Sequence, residues 1–129
     1  MTSLLPAFND HFIEFVSDIH RVFPEDVDIL SAKNSFIALR KMNPKLIILS
    51  WKSFVVDKYK DSIDRGDISF FINKDYFQDV NQTPHAEKIT EAINRLRNPV
   101  KAMTADDQAK IMKYIQNLTK LCLLYCNMQ

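Results

Sequence analysis

Apolar residues return every three or four positions along most of this chain, and the polar positions between them fall on opposite faces. That period predicts helices throughout. Over residues 6 to 23, Phe8, Phe12, Phe15, Val16, Ile19 and Val22 share one arc at 100° per residue, with Asp10, Glu14, Ser17, Asp18 and Arg21 opposite. Pro6 suits a first turn, and Pro24 closes the helix by pushing Phe23 out of the α region. A second helix is expected from Glu25 or Asp26 to Met42. Ile29, Ala32, Phe36 and Leu39 form its stripe, Leu30 and Ile37 lie beside it, and the charges at the two ends match the helix dipole.

The third helix, 44–65, is the predicted centre. Asn43-Pro44 is an N-cap followed by a first-turn proline, and Gly66 suits a left-handed C-cap. Leu46, Ile47, Ile48 and Leu49 cover every side of the first turn, which predicts enclosure by neighbours. Beyond it Ile47, Ile48, Trp51, Phe54, Val55 and Tyr59 share an arc, while Ser53, Asp57, Lys60 and Asp64 face away. A strand over Lys45 to Leu49 is the competing reading, and the cap and the continuing period favour helix. A short aromatic helix or turn follows, capped by Asp67, with Phe70, Phe71, Tyr76 and Phe77 folding back.

Thr83-Pro84 opens a helix with Ala86, Ile89, Ala92, Ile93 and Leu96 as its stripe, ending at Asn98-Pro99. Thr104 caps the last helix, with Asp107 in the capping-box position. There Ile111, Met112, Ile115, Leu118, Cys122 and Tyr125 face inward, and Lys113, Gln116, Asn117 and Lys120 face water. The fold class is therefore all-α: a single-domain bundle over 1–129, of about five main helices plus one short aromatic piece, around a central helix 44–65. One glycine in 129 residues argues against an all-β fold with its many tight turns.

Charge changes the picture more than composition does. The net charge is +1, yet Met1 to Asp28 holds six acidic residues against Arg21, and Ile29 to Lys74 holds nine basic residues against four acidic. Such asymmetry guides docking or self-association and falls short of the footprint of a dedicated nucleic-acid binder. No signal-peptide pattern opens the chain and no run reaches the 18 or so apolar residues of a membrane span, so a protein that is not secreted is expected. On that reading the sequons at Asn81 and Asn117 are accidental, and Cys122 and Cys126 are reduced thiols.

Site chemistry is sparse. Two thiols four apart on one helix lack the further ligands of a zinc site, so no metal and no cofactor are expected. His85-Ala86-Glu87 matches the H-x-E of zinc deaminases without its cysteine partner motif. One glycine excludes a Gly-rich phosphate loop. His11 and His20 sit at the edges of an apolar face with no nucleophile in a recognisable setting. No catalytic residue is assigned; an enzyme would need a pocket lined by groups such as Glu14, Asp18 or His11.

Two surfaces remain as candidates for partner binding. The first joins any surplus of Phe70, Phe71, Tyr76 and Phe77, as an apolar patch, to the acidic face of Asp10, Glu14 and Asp18. The second is the basic junction of Arg40, Lys41, Lys45 and Lys52, a site for nucleic-acid phosphates. Nucleic acid is the less favoured of the two, because no helix-turn-helix signature accompanies those residues and the would-be recognition helix is the most apolar in the chain.

Residues 8 to 29 (FNDHFIEFVSDIHRVFPEDVDI) and 43 to 76 carry a helix ending in F-P-[DE]-D, an N-P-K-opened apolar helix with W-K-x-[FY]-V at its centre, and a G-D-x-x-F-F-x-x-x-D-Y close. Over about the first 80 residues these resemble a group of short, uncharacterised proteins of large nucleocytoplasmic DNA viruses, including giant viruses of algae and protists. The resemblance brings no catalytic residues. It implies a viral protein acting in the host cytoplasm, the viral factory or the virion. The expectation drawn from it is a non-enzymatic minor capsid or virion-associated structural protein whose partners are viral proteins, capsid proteins or further copies of itself.

Overall fold

A computed structural model describes residues 4–69 and 95–127, with Phe54 described by its backbone alone. The first helix, α1 (Leu4–Val22), buries Phe8, Phe12, Phe15, Val16 and Ile19 at no more than 1% exposure each. It begins two residues before the predicted start, with Pro6 in its first turn, where amide hydrogens have no intrahelical acceptor in any case. Val22, expected on the inward arc, is 41% exposed. The chain turns there at Phe23-Pro24, so the bundle no longer covers the end of the stripe.

α2 (Val27–Met42) starts at an Asp26 cap, whose side chain accepts from the amides of Asp28 (2.9 Å) and Ile29 (3.3 Å). It buries the predicted stripe of Ile29, Ala32, Phe36 and Leu39. Asn43 ends it and turns the chain toward the next helix, which begins at Leu46 with Lys45 in the cap position, two residues later than the predicted start at Pro44. The Asn43 N–H donates to the Leu39 carbonyl, and its Oδ1 accepts from the Lys45 N–H at 3.0 Å.

The central helix forms one continuous run with two irregularities. α3 (Leu46–Trp51) passes into a π-helical turn, Lys52–Val56, and then α4 (Asp57–Asp64), which is kinked at Tyr59 (φ −126°, ψ 21°). The extra residue of a π-turn rotates the helix beyond it. Val55 and Val56 are therefore both buried, where strict α-helical phase leaves Val56 at the margin of the inward face. The first turn is not enclosed on every side: Leu49 is 50% exposed and Leu46 half-buried, because neighbours cover only the Ile47, Ile48 and Trp51 side. Gly66 takes φ +71° as the helix ends.

Among the described residues the chain resumes in α5 (95–101). The predicted stop at Asn98-Pro99 does not occur: the helix passes through Pro99 to residue 101, carried by the burial of Leu96 and Val100 one turn apart. Gln108 Nε2 then donates to the freed carbonyls of Val100 (3.0 Å) and Lys101 (3.3 Å). α6 (Ala105–Asn127) begins with Thr104 Oγ1 accepting the Asp107 amide at 3.2 Å, as the capping pattern predicts, and buries the whole expected stripe.

The helices pack on one another as a single all-α bundle, with α1 against α6 and α2 and the central helix closing the other side. Trp51, 2% exposed, stands at the middle. Phe8, Phe12 and Phe15 surround its ring at centroid distances of 6.4, 5.7 and 6.4 Å, the last two nearly perpendicular, and Phe36 meets Phe12 at 4.7 Å. Edge-to-face contacts of this kind add to the area buried. Residues 46–49 are helical, which disposes of the competing strand.

Candidate interaction surface

Polar groups inside the bundle tie elements together. Trp51 Nε1–H donates to Thr119 Oγ1 at 3.2 Å, joining the central helix to α6, and Asn9 Nδ2–H donates to the Pro44 carbonyl at 2.9 Å, joining α1 to the turn before α3. Neither Asn9 (1% exposed) nor Thr119 (3%) was marked as inward by the sequence pattern. Both stand beside strongly apolar positions, the one signal available, and it does not distinguish a buried amide from a surface one. Gln116 Nε2–H, expected in water, donates to the Ile63 carbonyl at 2.9 Å.

Cys122 is fully buried and its thiol points at the Ile48 carbonyl, 3.6 Å away. Burial, with smaller effects from neighbouring Cys126, pushes its pKa up to about 12. Cys126 is half-buried, and both thiols are free. Lys52 donates to Asp57 at 2.5 Å, and that hydrogen bond raises the ammonium's pKa against the opposing effect of desolvation. Among the described residues no group of three or more His, Cys, Asp and Glu side chains gathers as a metal site would require.

The acidic face of α1 is drawn into contacts within the bundle. Asp10 pairs with Arg40 of α2 at 2.6 Å; Asp18 pairs with Arg21 and accepts the Tyr114 hydroxyl; Glu14 lies 3.5 Å from the same hydroxyl. Burial first, then Asp18 and Glu14, hold the Tyr114 phenol above its ordinary range. His11 stacks on Tyr114 at 4.9 Å, its Nε2 buried without a hydrogen-bond partner, and His20 Nε2 lies 3.2 Å from the Pro24 carbonyl at the end of α1. Asp18, Arg21 and Tyr114 line a cleft of about 170 Å³, and an open groove of about 410 Å³ runs past Ala7, His11, Leu121 and Leu124.

The basic junction divides into two pairs. Arg40 is joined to Asp10 and Lys52 to Asp57, whereas Lys41 and Lys45 are exposed. They stand in a stretch, Ile29 to Val56, with five basic residues and no carboxylate. Phe70, Phe71, Tyr76 and Phe77, the proposed aromatic patch, lie outside the described residues, as does the predicted helix start at Thr83-Pro84.

The described surface also carries large apolar side chains: Val27 (72% exposed), Met42 (57%), Leu49 (50%), Leu124 (50%), Leu30 (43%) and Val22 (41%). The apolar first turn of the central helix predicts Leu49 covered, and its exposure is a tertiary fact; Leu30, beside the α2 stripe, is exposed as well. Among the described residues no helix is long and apolar enough to cross a membrane. No family model matches the chain, and no curated protein or solved structure matches it either.

Proposed function

We propose that the chain is a non-enzymatic helical protein-interaction module. The observation that carries the reading is the exposure of Val27, Met42, Leu49 and Leu124, each half or more open to solvent, in a chain whose charges are unevenly distributed along the sequence. Large apolar side chains standing beside charge of one sign favour burial against a protein partner. The resemblance to small proteins of large nucleocytoplasmic DNA viruses extends this to a minor capsid or virion-associated component, present in the particle or the viral factory. Quantitative mass spectrometry of purified particles tests the placement. The expected result is a copy number comparable to other minor shell proteins, with cross-links from lysines near the exposed apolar residues to a second shell protein. Absence from particles rejects the virion role, and absence of cross-links to any protein rejects the interaction role.

A second reading, nucleic-acid binding at the α2–α3 junction, is favoured by the carboxylate-free stretch around Lys41 and Lys45. With Arg40 and Lys52 already paired, the two exposed lysines give a shallow salt dependence, a slope of roughly −2 in log affinity against log salt. Replacing both by Ala abolishes it. Binding that ignores salt, or survives both substitutions, removes this reading.

A further inference from the structure

Five of the six large apolar side chains most exposed on the described surface lie at the two ends of one helix, α2. Val22, Val27 and Leu30 flank the turn from α1 to α2; Met42 and Leu49 flank the turn from α2 to α3. Sixteen helical residues set the ends about 24 Å apart.

The two ends carry opposite charge. Beside Val27 and Leu30 stand Glu25 and Asp28, both exposed, and the capping Asp26. The cations at that end are Arg21, paired with Asp18, and Arg95, 3.9 Å from Asp28. Beside Met42 and Leu49 stand Lys41 and Lys45. Leu49 donates its amide to the Lys45 carbonyl, which sets the two residues one turn apart on the outer side of α3. Asp10 of α1 reaches this end of α2 and is held by Arg40.

From this arrangement we infer that copies of the chain associate head to tail, the acidic apolar end of α2 in one copy seating on the basic apolar end in the next. The inference deepens the proposed function and rests on it, naming a second copy as the partner. Either end set against its own kind opposes like charges; acidic on basic joins apolar to apolar and compensates both charges. Two copies lying antiparallel make this contact twice and close as a dimer, whereas copies that make it once each propagate into a ring or a filament.

Sedimentation velocity at low ionic strength, over rising protein concentration, is the test. The mean sedimentation coefficient rises with concentration, and added salt lowers it. A head-blocked variant (Val27→Lys with Leu30→Lys) and a tail-blocked variant (Met42→Glu with Leu49→Glu) each sediment as single chains. Mixed in equal amounts they associate again, since one retains an intact tail and the other an intact head. Circular dichroism checks their helix content. Should either lose it, Glu25→Lys and Lys45→Glu replace them, each weakening assembly alone and restoring it when mixed. Wild-type chain that stays single at every concentration overturns the proposal. So does assembly that added salt leaves unchanged, or a mixture of blocked variants that forms no pair. A single chain that is nonetheless packaged and cross-linked to a different shell protein overturns self-assembly and leaves the interaction reading standing; a single chain absent from particles and without cross-links defeats both.

Discussion

Trp51 meets three phenylalanines with its ring and Thr119 with its nitrogen, so it fixes both where α1 lies and how α6 is rotated. Thr119→Val keeps the volume and strands the indole N–H, a loss of about 1–3 kcal/mol in urea unfolding. Trp51→Phe removes the same bond together with part of the ring. In a double-mutant cycle the two losses are therefore expected to fall short of additivity. The cysteines give a second prediction at this scale. Cys122 keeps its proton in the fold, its pKa raised from the ordinary 9.0 to about 12, and Tyr114 is raised as well. The folded state thus holds protons that the unfolded chain has already released, so stability is unaffected below about pH 9 and falls as pH rises toward 12. Thermal melts across that window show the decline, and Cys122→Ala makes it shallower despite a lower starting stability. A thiol reagent at neutral pH modifies half-buried Cys126 before Cys122, which becomes available on unfolding.

Elements obey their sequence signals where those signals are local. Asp26 caps α2, Asn43 closes it, Thr104 caps α6, and Gly66 takes the left-handed conformation, all within a few residues of the side chain responsible. Signals that compete with burial lose to it. Pro99 does not end α5, because Leu96 and Val100 hold the following turn in the core. The π-turn at Lys52–Val56 has no marker in the sequence, since it arises from fitting Val55 and Val56 into the core at once. It follows that Val56→Ala costs about as much as Val55→Ala, on the order of 1–3 kcal/mol in chemical denaturation. A helix in strict α phase makes Val56 the cheaper of the two. Gly66→Ala costs about 1–2 kcal/mol from conformation alone, since an added methyl meets only Gln116 Nε2 at 3.7 Å.

Across the whole molecule the core is shared rather than divided. α1, the central helix and α6 all contribute to the cluster around Trp51, so no element gives up its apolar face without exposing another. Urea unfolding followed by Trp51 fluorescence and by helical circular dichroism is expected to give coincident transitions. Separated midpoints mean that part of the bundle comes apart first. Charge acts at the same scale: Asp10–Arg40 draws the acidic first helix onto the basic second one.

By itself the sequence determined the helical class, the caps, the inward stripes of α1, α2 and α6, and Trp51 as the centre. Each follows from period and from short-range hydrogen bonding, which depend on neighbours in the chain. Only tertiary structure decided that Asn9 and Thr119 are buried, that Leu49 stands in solvent, and that Arg40 of the basic junction is neutralised by Asp10 of another helix. Those outcomes turn on which helix face meets which neighbour, and burial, not local preference, selects among the phases a helical pattern permits.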